Sequence, residues 1–305
     1  MKAVVYPVDW LLFRDPPPPL GGFGRRLLAE GDSWFTVGTL NLPQASNILF
    51  KLEFLTTTAI VNCAYPGDTL QHMVDNVNDR YFDRLLRKRN FASYWEAILL
   101  SAGGNDLIDA AQVRAVQPDG TATPPDRRLL LSLAEASRLD TPLTADDFIS
   151  EPGFARLATY LQANFRELVR RRDEGPSRGR PIFIHTYATP TARPSGTVGA
   201  PDGWLHPAFV DHGVPEGLRQ ALVGLLFGRL RRLLLDLDAA SGHPDALPAV
   251  HAFDSAALPD IEPAAAGSVG LSGDWINEIH LSPDGYGKLG RAFGAWIEGV
   301  LSRYP

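Results

Sequence analysis

Five short apolar runs constrain the fold of this chain more than any other feature: RRLLAE (25–30), TTAIVNCA (57–64), YWEAILLSAG (94–103), RPIFIHTY (180–187) and LPAVHAFD (247–254). Most are continuous rather than alternating. An alternating strand shows one face to water, whereas a continuous run is buried on both faces, the habit of parallel sheets covered by helices. Between the runs the apolar spacing lengthens to three and four. Phe154, Leu157, Tyr160, Leu161, Phe165 and Leu168 predict a helix over 153–172; Leu218, Leu222, Leu225, Leu226 and Leu233 predict another over 215–238. Tyr286, Leu289, Phe293, Trp296, Ile297 and Val300 predict a last one. Strands alternating with helices predict a doubly wound α/β domain with five parallel strands.

The chain has 305 residues, 45% of them hydrophobic and 21% charged, enough for a sizeable core without disulfides or metals. We expect a single domain over 1–305. Cys63 is the only cysteine, so no intrachain disulfide forms, and its place after an apolar run reads as a packed thiol. The net charge of −6 offers no basic footprint for nucleic acid. The basic clusters RLLRKR (84–89) and RRLLLDLD (231–238) read as solvated helix faces. The N-terminal stretch lacks a continuous apolar segment of secretory type, and no run reaches the roughly 18 apolar residues of a membrane span. The expectation is a cytoplasmic protein with no membrane span. Two Pro- and Gly-rich stretches, about 112–150 and 188–215, read as insertions leaving the carboxyl ends of the third and fourth strands. Ligands of open α/β sheets bind at that edge, so the insertions are expected to wall or cover a pocket, with Trp204 and His206 as contacts.

Chemistry-bearing residues gather at the same edge. The first run ends in Gly31-Asp32-Ser33, the second in a turn containing Gly67, and the third in Gly103-Gly104-Asn105-Asp106. His280 follows the fifth run, shortly before the last helix. Each has a bland reading: a Gly-Asp-Ser tripeptide arises by chance in roughly a few per cent of such chains, Gly67 serves a turn, Asn105 caps a helix, and a lone histidine sits on the surface. Their joint placement favours chemistry. A serine hydroxyl becomes a useful nucleophile when a histidine takes its proton. Attack on an ester carbonyl builds an oxyanion that needs preorganised donors. The Ser33 amide, the Gly67 amide and the Asn105 side-chain NH2 offer three, and Gly67 lets backbone approach the substrate closely.

In these four blocks, and in their order, the chain resembles the SGNH/GDSL hydrolases. The resemblance runs from residue 25 to residue 290, with both insertions falling between blocks. It implies a three-layer α/β/α fold of flavodoxin-like type and hydrolysis of an ester or thioester through an acyl-enzyme. It implies Ser33 as nucleophile, His280 as base, an oxyanion hole from Ser33, Gly67 and Asn105, and no metal or other cofactor. The substrate is a small-molecule ester: a lipid, a thioester or an acetylated carbohydrate. Trp204 is a candidate substrate contact.

One position departs from the family. Where its members usually carry an aspartate three residues before the histidine, this chain has Asn277. An amide oxygen can accept the imidazole N–H and fix its tautomer, but it cannot offset the charge of an imidazolium. Asp274, Asp254 or a Ser-His dyad remain open as alternatives. So do a binding protein that keeps the fold without turnover and a metal-dependent phosphoesterase, although no metal-ligand motif is evident.

Overall fold

In the computed structural model, which describes residues 1–36, 46–75, 81–88, 91–137 and 142–304, a parallel sheet is flanked by helices. Its strands are β1 (Val4–Pro7), β2 (Arg25–Gly31), β3 (Thr58–Asn62), β4 (Ala97–Ser101), β5 (Ile182–His185) and β6 (Val250–Phe253). Arg89 and residues 138–141 of the first insertion lie outside the described residues. The sheet has six strands where the apolar runs predict five. The order is β1-β3-β2-β4-β5-β6, and every pairing is parallel. The added strand β1 pairs with β3 at the edge, Val4 opposite Ala59. It is only four residues long, its outer residues are exposed, and it ends on a proline, so no continuous apolar run marks it.

Without that edge strand the order is the flavodoxin-like one, in which the chain runs outward in both directions from its first strand. The switch point lies between β2 and β4. Every residue of β4 and β5 is buried, on both faces, which needs a helical layer on each side. The long helices lie at Glu151–Glu174, Glu216–Asp236 and Pro283–Leu301, within a few residues of the predicted spans. Ser150 and Ser282 cap the first and last, accepting from Gly153 N and Gly285 N, and a proline occupies the first turn of each.

Candidate active site

The switch point places the candidate residues on three segments. β2 ends at Gly31, where an added Cβ would lie 2.8 Å from Ser101 Cβ, so only glycine lets β2 pass this close to β4. The chain then turns into a short helix, Ser33–Thr36. As its first residue, Ser33 has a backbone N–H with no intrahelical acceptor. Beneath it lies a buried polar chain. Asp32 Oδ1 accepts from Trp34 N at 2.9 Å and from Ser101 Oγ at 2.7 Å, while its Oδ2 accepts from Tyr187 Oη at 2.6 Å. Tyr187 N donates to His185 Nδ1, so the His185 proton sits on Nε2 and points at Ser101 Oγ, 2.9 Å away. Burial raises the Asp32 carboxyl to about 6, an effect that these hydrogen bonds only partly oppose.

His280 arrives from the other end of the chain. Its Nε2 lies 2.7 Å from Ser33 Oγ across a separation of 247 residues. Its Nδ1 lies 3.0 Å from Asn277 Oδ1. That oxygen also accepts the backbone N–H groups of Ile279 (3.1 Å) and His280 (2.8 Å). Three donors converge on it, so it is the carbonyl oxygen of the amide, and the imidazole proton must sit on Nδ1. Nε2 therefore carries the lone pair and faces the serine hydroxyl, the protonation pattern a general base requires. Burial pushes the His280 pKa down to about 4, with no carboxylate to counter it.

The two aspartates considered as alternatives are occupied elsewhere. Asp274 Oδ2 takes Lys288 Nζ and Glu262 N, both at 2.7 Å, and serves the loop rather than the imidazole. Asp254 is held by Arg231 and Thr186 beyond β6.

The remaining donors come from loops after β3 and β4. Tyr65 N donates to Gly31 O at 2.9 Å, and Asn105 Nδ2 donates to Asp68 O at 2.9 Å. These two bonds tie the turn containing Gly67 between the nucleophile segment and Asn105. Gly67 is exposed with φ +79°, and it donates to none of the partners that hold the turn. One proton of the Asn105 amide is used on Asp68; the second remains for a ligand. Ser33 and Asn105 share one cleft.

The second insertion walls the cleft with Ala188 and Pro190, but not through the expected contacts. Trp204 is absent from the lining of the Ser33 cleft; its ring sits edge-on to the His280 imidazole, centroids 5.4 Å apart. His206 lies beside Arg219 at 3.3 Å, also off the cleft lining. The insertion is bolted to the histidine loop by two buried charges that the sequence reading passed over. Arg193, fully buried, donates through Nη2 to Asn277 O at 2.7 Å and through Nη1 to Gly270 O at 2.7 Å. Glu278, also fully buried, accepts from Leu205 N (2.8 Å), His206 N (2.7 Å) and Trp204 N. Burial raises its carboxyl to about 7. Glu278 stands between Asn277 and His280 in sequence, the one signal that could have drawn attention to it.

Among the described residues no group of three or more His, Cys, Asp or Glu is placed to hold a metal ion, and no helix is long and apolar enough to cross a membrane.

No protein-family model matches the chain, and no curated protein matches it in sequence. Solved structures overlay most of it at low similarity. An extracellular lipase from Streptomyces rimosus is 11% identical, with 92% of this chain and 100% of that one covered and a TM-score of 0.47. For phospholipase A1 from Streptomyces albidoflavus the values are 13%, 92%, 99% and 0.43. For a carbohydrate acetylesterase from Sinorhizobium meliloti they are 13%, 90%, 99% and 0.42. Likenesses this distant do not specify chemistry.

Proposed function

We propose that this chain is a serine hydrolase of the SGNH/GDSL type that cleaves carboxylic esters through an acyl-enzyme on Ser33. The observation that carries the reading is the 2.7 Å approach of His280 Nε2 to Ser33 Oγ, in the tautomer set by Asn277. In this reading Nε2 takes the hydroxyl proton as Oγ attacks the ester carbonyl. The oxyanion that develops is met by the Ser33 and Gly67 amides and the spare Asn105 proton. His280, now an imidazolium, returns the proton to the departing alkoxide, and the acyl group stays on Ser33. Water, deprotonated by the same nitrogen, releases it as the acid. Asn277 aligns the ring throughout.

Release of nitrophenol from a short acyl ester, paired with fluorophosphonate labelling, tests the reading. Ser33→Ala should abolish both while leaving the circular dichroism spectrum unchanged. Asn105→Ala should lower kcat by roughly 10²–10³-fold, the usual effect of losing one oxyanion donor, with a smaller change in KM. Turnover by Ser33→Ala within a few-fold of wild type would remove the nucleophile assignment.

A further inference from the structure

The cleft shared by Ser33 and Asn105 holds about 10 Å³, room for one water molecule. Its walls are apolar: Ile108, Pro190, Phe227 and Ile279 line it, and the first, third and fourth are at most 6% exposed. Its floor cannot retreat. Tyr187 is pinned through its hydroxyl to Asp32 and lies so close to Gly104 that a Cβ there would fall 2.9 Å from the Tyr187 ring. The one carboxylate at the floor, Asp32, is already spent on three donors. Apart from the Ser33 hydroxyl and the Asn105 amide, the polar oxygens of the lining, on Asp32 and Tyr187, are bonded to one another.

An ester delivers two groups to a serine hydrolase, and their fates differ. The alcohol must leave to solvent after the first step. The acyl group stays bonded to Oγ until water removes it. A cleft this small, touching both the nucleophile and an oxyanion donor, suits only the retained group. Resting on the esterase reading, we propose that this cavity is the acyl pocket, that it restricts the enzyme to acetyl esters, and that Phe227 sets its depth. An acetyl methyl matches a single water in size. A butyryl group brings two further methylenes into a wall that is packed and held by the Glu216–Asp236 helix. Discrimination in an apolar pocket runs to roughly 10–200-fold per methylene.

The test compares kcat/KM of the full chain on nitrophenyl acetate, butyrate and octanoate. Wild type should favour acetate over butyrate by at least about tenfold. Phe227→Ala should raise butyrate to parity with acetate or beyond it. Phe227→Leu is the milder deletion, used if the alanine variant is poorly folded, and should move the ratio in the same direction. Equal wild-type rates on acetate and octanoate would overturn the acyl-pocket proposal and leave the esterase reading standing. An unchanged ratio in folded Phe227 variants would overturn it too. No hydrolysis of any ester, with Ser33 refractory to a small fluorophosphonate, would overturn both.

Discussion

At the scale of single residues, the exchange of a carboxylate for an amide beside His280 changes the pH at which the base can work. The ring is buried and meets the amide oxygen Asn277 Oδ1 rather than a carboxylate; its pKa is pushed down to about 4. A general base acts only when neutral. If His280 is the base of the proposed mechanism, it stays competent down to about pH 4, and kcat/KM should hold across the range where a histidine of ordinary pKa, near 6.5, would be lost to protonation. Asn277→Asp places a negative charge within hydrogen-bond reach, which should move the acid limb of the profile up by about 1–3 pH units. Turnover above the new limb should be kept or raised, because the charge stabilises the imidazolium. Asp274→Ala should leave the limb where it is, since that carboxylate is bonded to Lys288 and Glu262. A pH–rate profile of the three proteins from pH 3.5 to 9 decides the matter. Ser33, Gly67, Asn105 and His280 were legible in the sequence because each follows a strand or precedes a helix at one sheet edge. The partner of His280 was only half legible: spacing pointed to Asn277 and charge to Asp274, and the fold of the 274–282 loop, invisible in one dimension, separates them.

At the scale of elements, β2 to β6 were legible because burial writes a largely apolar run, even in β6 at the sheet edge, and β1 was not, because a four-residue edge strand ending on proline needs no such run. The 188–215 insertion was legible as an irregular segment near the site, but its role was not. Pro and Gly content identifies a loop; it does not reveal that the Arg193 guanidinium donates to Asn277 O while the Glu278 carboxylate accepts from Arg193 N, tying together two segments 85 residues apart. Those bonds hold the very stretch that carries Asn277 and His280, so the insertion positions His280 as well as contributing Pro190 to the cleft. Glu278→Gln tests this. Both carboxylate oxygens face N–H donors, and the substitution turns one of them into an NH2 with nothing to accept its protons. An unsatisfied group of this kind costs about 1–3 kcal/mol, so the denaturation midpoint should fall. Turnover should fall because the histidine loop loosens, and KM should shift as well, because Ile279 of that loop lines the cleft. Denaturant titration together with kcat and KM on nitrophenyl acetate measures both; an unaltered kcat would reduce Glu278 to a loop anchor.

At the scale of the whole molecule, the buried titratable groups oppose one another. His185 and His280 are held neutral, their pKa values pushed down from 6.5 to about 3 and about 4 by burial. The unfolded chain binds their protons first, so they withdraw stability as pH falls below 6.5. Asp32 and Glu278 act in the other sense. Their carboxyls rise from 3.8 to about 6 and from 4.5 to about 7, so the folded chain binds those protons first and gains stability as pH falls through the same interval. The gain from Glu278 is complete near pH 4.5 and that from Asp32 near 3.8. Glu135 and Glu167, lowered to about 2 by neighbouring arginines, then begin to withdraw stability as they are protonated in the unfolded chain. The melting temperature should be nearly flat from pH 7 to about 4.5 and drop steeply below 4. Glu278→Gln should tilt the plateau downward toward acid, a difference that scanning calorimetry across the range would register. The bond between Ser33 and His280 has one more consequence, concerning time rather than space. A contact spanning 247 residues cannot form until nearly all of the chain has been synthesised and the segments between have closed their loops. On the esterase reading, Ser33 leaves the ribosome early and waits, unarmed, for a base encoded close to the last helix. A newborn chain would then be harmless to the esters around it until its fold is complete, and the first burst of nitrophenol in a refolding experiment would time the closing of the fold.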